Sequence, residues 1–380
     1  MLFRSFNVVT PAPTTGTGPG TRQTEIAADV RFSNRPGAVT QSTRSQDLEP
    51  EAVTTSVFAR AYVSLQENNA MATVSLATTP PRIETIVGLG TKDFNTDTSG
   101  LDASDQDDTD VLTKRVVKGF RQAGGLVAFR NTDEVLLLSA NTGAPRMLPG
   151  FDETTRAATL NLDPAVYPNA AEQQLNRNLG RLIVSASEGN APATTTPAPG
   201  VPQDPDIEQI LTYGARSFSI IRTSGFPVYD SGDDFERVTL QQLGPNFNSA
   251  ADANQSGDSR SDDQGPAPKA LAMGQIEGAT FAFIGLSQVG GFMVYALDSS
   301  LRSARFLEYR TERNFSVVPS GADTNNDGAP DTAPGAGDFG PSQMLFVPIS
   351  ASPTADSLLI VANAVSGTTT IYSIKAPPRT

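Results

Sequence analysis

From residue 50 onward the apolar positions come in short runs, β-branched or aromatic, bounded by Gly, Pro, Asn and Asp. Such runs predict strands and turns, since an amphipathic helix would repeat its apolar positions about every 3.6 residues instead. Three stretches align on one another: "YVSLQENNAMATV" (62 to 74), "FIGLSQVGGFMVY" (283 to 295) and "IVANAVSGTTTIY" (360 to 372). Each reads as an apolar strand, a polar or glycine-containing turn and a return strand. Each follows a proline-led strand: "PEAVTT" from Pro50, "PKALAMG" from Pro268 and "PSQMLFV" from Pro341. A weaker fourth copy is "GGLVAFRNTDEVLLLSANTGAPRML", from Gly124 to Leu148. A unit of three to four strands that recurs along a chain predicts an all-β fold of the β-propeller kind, in which each small sheet buries its faces against its neighbours. A β-sandwich predicts no such recurrence.

Polar insertions separate the units at about 92 to 111, 187 to 208, 246 to 268 and 320 to 340. The Pro/Thr-rich "APATTTPAPGVPQDPD" (191 to 206) reads as a flexible surface loop. One helix is expected at 168 to 179, "PNAAEQQLNRNL", with Pro168 early and Gly180 as its stop. The first 22 residues run into a Thr/Pro/Gly tract without the charged start and apolar core of a secretory signal, and are expected to be disordered or artefactual. Residues 23 to 376 form the expected propeller domain. No apolar run approaches the ~20 residues of a membrane helix.

Composition narrows the chemistry. The chain has 28 basic and 41 acidic residues, a formal charge of −13, which disfavours nucleic acid or an anionic membrane as partner. It has no Cys and no His. Disulfides, thiolate nucleophiles, Ser-His-Asp triads and imidazole-ligated zinc are therefore excluded.

Hard cations that take oxygen ligands remain open, and three loops suit them. In "ADTNNDGAPD" (322 to 331), Asp323, Asn325 and Asp327 alternate ahead of Gly328, and Asp331 stands where such loops often bind through a water. Pro334 occupies the place of the bidentate Glu, so this is no EF-hand. In "DANQSGDSRSDD", Asp252, Asn254 and Ser256 precede Gly257, with Asp263 at the final position. The third loop, "LDASDQDDTD", offers Asp102, Asp105, Asp107 and Asp108. Every one of these has a competing reading as a polar turn, and Arg260 would make the second a salt-bridged turn. For Asp230, Asp233 and Asp234 in "YDSGDDFE" a hairpin turn is the expectation. Arg216 in "ARSFSI" would hold a phosphate or a carboxylate in the channel, or pair with an Asp of a neighbouring blade.

The wording of the chain resembles the choice-of-anchor I domain family. The residues that carry this are "QDLEPEAV" (46 to 53), "GLGTKDFNTDTSGLDASDQDD" (88 to 108), "VYDSGDDFE" (228 to 236), "FNSAADANQSGDSRSDDQGP" (247 to 266), "FAFIGLSQVGGFMVY" (281 to 295) and "LLIVANAVSGTTTIYSI" (358 to 374). The family includes mesenchyme-specific cell-surface glycoproteins and secreted proteins often labelled alkaline phosphatase. The resemblance implies an extracellular or cell-surface seven-bladed propeller related to the YVTN and WD40 repeats, of which only the later blades are present here. Departures matter as well. The family's acidic positions are replaced by Lys269, Ser342, Ser287 and Ala364, "ANTGAPRM" (140 to 147) lacks its acidic pair, and Phe94 stands where His is usual.

Two functions follow. The first is a non-enzymatic extracellular propeller that binds Ca2+ and contacts matrix, mineral or a surface protein. The second is a secreted phosphoesterase with two metal ions, which would require Asp102, Asp105, Glu51 and Asp230 to meet within about 4 Å of two shared points. With no His, no recognisable nucleophile motif and the acidic channel positions replaced, the sequence favours binding.

Overall fold

The structure, a computed structural model, describes residues 25–32, 44–107, 112–148, 150–190, 206–319 and 333–375. It is built of sheets. The proline-led strands are where the sequence puts them: Pro50–Ser56, Pro268–Ile276 and Pro341–Val347 each open a sheet. Each then runs antiparallel into its hairpin, Arg60–Leu65 with Ala70–Ser75, Ala279–Leu286 with Phe292–Leu297, and Ser357–Asn363 with Thr368–Ile374. Every first strand slips register just after its start. In all three units the turn also returns a backbone bond to the residue before the proline: Gln66 N–H to Glu49 O, Ser287 N–H to Ala267 O and Ala364 N–H to Gly340 O. Shared bulges and shared turn bonds make these one repeated unit at the level of the backbone.

The weaker copy is also real, with a difference. Ala123–Arg130 and Val135–Asn141 pair as a hairpin, but the outer strands of that sheet, Phe218–Arg222 and Pro227–Asp230, come from beyond residue 217. The chain leaves the second sheet after Asn141 and, before it returns, adds three strands to two laid down ahead of Ala123 to complete an accessory five-stranded sheet. That sheet joins Thr154–Arg156, Ile183–Ser185, Leu211–Tyr213, Lys118–Phe120 and Thr91–Asp93.

The four repeated sheets pack in sequence order. Tyr62 and Met71 of the first meet Leu126, Leu137 and Ile221 of the second. Leu136, Leu138, Phe218 and Ile220 on the second sheet's other face meet Leu271, Ile284 and Tyr295 of the third. The third then presents Phe281 and Phe283 to Leu359 and Val361 of the fourth. Alternation explains this two-faced burial, since neighbouring residues of a strand point to opposite sides of the sheet. The opening strands lie side by side and approach closely. A Cβ on Gly125 would stand 2.3 Å from the Lys269 carbonyl, and one on Gly274 would strike the Phe346 ring. On the fourth sheet's far face Leu345, Ile360 and Ile371 align across the strands, and Leu345 and Ile371 are about 60% exposed. Among the described residues no strand pairing joins the fourth sheet to the first.

Two local expectations are corrected. Residues 168 to 179 do not form one helix: Ala170–Gln173 make a single turn, Leu175 is extended, and Asn176–Gly180 form a separate wide turn. Side chains compete with the backbone there, as Gln174 donates to the carbonyls of Ala157 and Leu160, and Asn178 to that of Glu172. "YDSGDDFE" is no hairpin turn either. Asp230 ends a strand and Asp234 opens the helix Asp234–Leu243, whose Phe235 and Val238 are buried between the second and third sheets. Asp234 and Glu236 in its first turn suit the positive end of a helix.

Candidate functional site

Two of the acidic loops, distant in sequence, fold against each other. Arg216 joins them. Its backbone adopts φ 48°, which turns the side chain inward, and only 1% of the residue is exposed. The guanidinium donates to the carbonyls of Asp102 (2.7 Å), Ser261 (2.7 Å) and Asp263 (2.9 Å) and to the Glu236 carboxylate (2.6 Å). The carboxylate expected opposite Arg216 is thus Glu236, from the helix. A planar fork of five N–H donors lets one guanidinium fasten several acceptors from different loops at once.

Asp102 lies in this junction, fully buried. Ser261 Oγ donates to its Oδ2 (3.2 Å) and the Ser104 amide to its Oδ1 (3.4 Å). Burial, then the nearby charges of Glu236, Asp258 and Asp107, push its pKa up to about 8, against a weaker opposing pull from Arg216. Asn248, also fully buried, donates from its amide nitrogen to Ser261 Oγ (2.9 Å) and Glu236 (3.3 Å). Its amide oxygen has no hydrogen-bond partner. At the edge, Arg181 holds Asp105 in a fork (2.7 and 2.9 Å) and also reaches Asp262 (3.5 Å), which Arg156 pairs with as well. Asp105 is accordingly held below the usual carboxylate range, chiefly by that arginine.

In the second loop Asp263 pairs with Arg260 at 2.6 Å, the salt-bridged arrangement, and burial raises its pKa. Asn254 Oδ1 faces a cation, but that cation is Arg313. Its guanidinium takes Asn254 Oδ1 (2.7 Å) together with the carbonyls of Ala250 (2.7 Å), Ala253 (3.0 Å), Gln288 (2.9 Å) and Val289 (3.2 Å). Ser256 accepts from the Ala250 amide and donates to Ala253 O, and Asp252 is exposed. Asp323, Asn325, Asp327 and Asp331 lie outside the described residues.

Where the opening strands begin, Lys269 pairs with Glu51 at 3.1 Å, so the basic replacement neutralises an acidic neighbour across the second sheet. Ser342 and Ser287 donate to the carbonyls of Ala362 and Ala267. Arg146 of "ANTGAPRM" is buried between Asp47 and Glu49, both at 3.2 Å. Glu67 nearby has its pKa pushed up to about 7, first by burial and then by Glu49 and Glu51. Lys92 is fixed by the carbonyls of Ala215 and Gly232 and lies over the Phe94 ring at 4.9 Å. Asp230 accepts from Ser217 and Ser219 and faces Lys92 and Arg121 at 3.9 and 3.8 Å. Asp102, Asp105, Glu51 and Asp230 therefore have four separate sets of partners. Among the described residues no three Asp or Glu side chains are grouped so as to hold a metal ion by themselves. Nor, among them, is any helix long and apolar enough to cross a membrane.

Sequence reasoning missed Glu236, Asn248, Ser261 and Arg313. Each stands beside or beyond an acidic run, and its role depends on partners 12 to 159 residues away.

A family model for the choice-of-anchor I domain matches residues 14–300. Gigasin-3a of Magallana gigas is 27% identical over 204 residues, covering 52% of this chain and 65% of that protein, so the chain spans somewhat under two thirds of its length. With three quarters of its residues inside the family match, the chain belongs to the choice-of-anchor I domain family.

Proposed function

We propose that this protein is a non-enzymatic, extracellular binding scaffold: part of a propeller of YVTN/WD40-like blades, associated with calcium, that engages matrix, mineral or a surface protein through its insertions. The carrying observation is the dispersal of the candidate carboxylates. Glu51 is neutralised by Lys269, Asp105 by Arg181, and Asp230 sits among serines and two cations, so no pair of metal positions shares them. Two-metal hydrolysis needs bridging ligands around ions about 4 Å apart. The packing of four sheets in sequence order, with opening strands adjacent, supports the propeller reading. Family membership and the likeness to Gigasin-3a support an extracellular setting.

The experiment pairs two measurements on one preparation. Hydrolysis of p-nitrophenyl phosphate is followed with calcium, magnesium and zinc, and adsorption isotherms are taken on calcium carbonate, calcium phosphate and immobilised matrix protein. Saturable adsorption without turnover is expected. Metal-dependent turnover that scales with protein, or no adsorption to any surface, would overturn the proposal.

A further inference from the structure

We infer that Asp102, Asn248 and Asp258 form one calcium site sealed between the second and third acidic loops, a composite that neither loop makes alone. The inference rests on the calcium reading above and says where the ion sits. Asp102 brings a carboxylate with no exposed surface. Asn248 brings a fully buried amide whose oxygen lacks a hydrogen-bond partner, although its nitrogen is anchored through Ser261 to that same carboxylate. The Asp258 backbone is pinned beside it by its amide bond to Phe247 O (2.6 Å), and its charge acts on Asp102.

The nearby arginines do not neutralise Asp102. Arg216 gives its charge to Glu236 and touches only the backbone of Asp102. Arg115 acts on Asp102 from a distance while its hydrogen bond goes to Asn178 (3.5 Å). A carboxyl this deeply buried, with an unanswered amide oxygen beside it, is costly to ionise unless a cation completes the set. Since the carboxylates are too few to enclose an ion, the shell must draw on amide, hydroxyl and water oxygens. Calcium accepts such mixed, irregular shells, whereas magnesium demands near-octahedral geometry and gives up water reluctantly.

The full chain is melted in EDTA, in millimolar calcium and in millimolar magnesium, with calorimetric titration of calcium in parallel. Wild type is expected to gain roughly 3 °C or more with calcium alone and to show one tight site. Asp102→Asn and Asn248→Ala should lose both responses, while Asp252→Ala and Asp327→Ala keep them. Far-UV circular dichroism checks that each variant is folded, and Asn248→Ser, which keeps an oxygen, should retain weakened binding if Asn248→Ala does not fold. A calcium response that survives Asp102→Asn but vanishes in Asp327→Ala overturns this inference and leaves the calcium reading standing. No response in wild type overturns both.

Discussion

Removing the Arg313 guanidinium should unfasten the second acidic loop. Five acceptors converge on this residue, which is only 6% exposed: Asn254 Oδ1 and the carbonyls of Ala250, Ala253, Gln288 and Val289. Burial lowers its pKa to about 10, so it is still a cation at neutral pH. It also lies over the rings of Phe315 (4.6 Å) and Phe339 (5.1 Å). Each buried acceptor left unmet costs about 1–3 kcal/mol, and water will reach some of them, so Arg313→Ala is expected to cost about 3–5 kcal/mol in all. Arg313→Lys keeps the charge but has three donors and no planar face, and should cost about 2 kcal/mol. Guanidinium denaturation followed by circular dichroism would show a lower midpoint with an unchanged slope. A loss under about 1 kcal/mol for Arg313→Ala would refute the argument, because the carbonyls would then be satisfied without the cation. Calcium supplies a second arm. Rescue of Arg313→Ala by calcium and not magnesium would mean that the oxygen cradle accepts a metal once the guanidinium is gone.

Other outcomes follow from the same geometry. Glu67 titrates near 7 in the folded protein against 4.5 as its ordinary value, so the folded state holds the extra proton and stability falls as pH rises between those values. Discounted for partial exposure, Glu67→Gln should stabilise by about 1–2 kcal/mol at pH 8 and by almost nothing at pH 4, checked by melts across that range. Gly125→Ala should cost about 2 kcal/mol by forcing a methyl against the Lys269 carbonyl, and a neutral result would mean the opening strands separate easily. Glu236→Gln leaves the Arg216 charge buried without its carboxylate and should cost about 3–5 kcal/mol, whereas Glu84→Gln, at an exposed pair with Arg60, should cost under 1 kcal/mol. Denaturation of the two variants side by side tests that ranking.

The repeated unit was legible before any folding was considered. Alternating β-branched and aromatic residues, proline at the head of each opening strand and polar turns of fixed place are local signals, and strand pairing between chain neighbours obeys them. Composition also closed off thiol and imidazole chemistry outright, since absent side chains cannot be supplied by folding. Boundaries that depended on distant groups were not legible. "YDSGDDFE" looked like a turn because its acidic residues favour one, but Phe235 and Val238 gain enough burial between two sheets to draw it into a helix. "PNAAEQQLNRNL" looked helical, but Gln174 and Asn178 found carbonyl partners that broke it.

The site divides in the same way. Acidic loops could be located from composition, because clustered Asp and Asn are visible in any window. Which of their oxygens face a cation was decided only by the tertiary structure, since every neutralising arginine that matters, save Arg260, lies far away in the chain. Arg313 stands 59 residues from Asn254, Arg181 stands 76 from Asp105, and Ser261 stands 159 from Asp102. Electrostatics and hydrogen bonding act through space over a few ångströms, and a sequence records only distance along the chain.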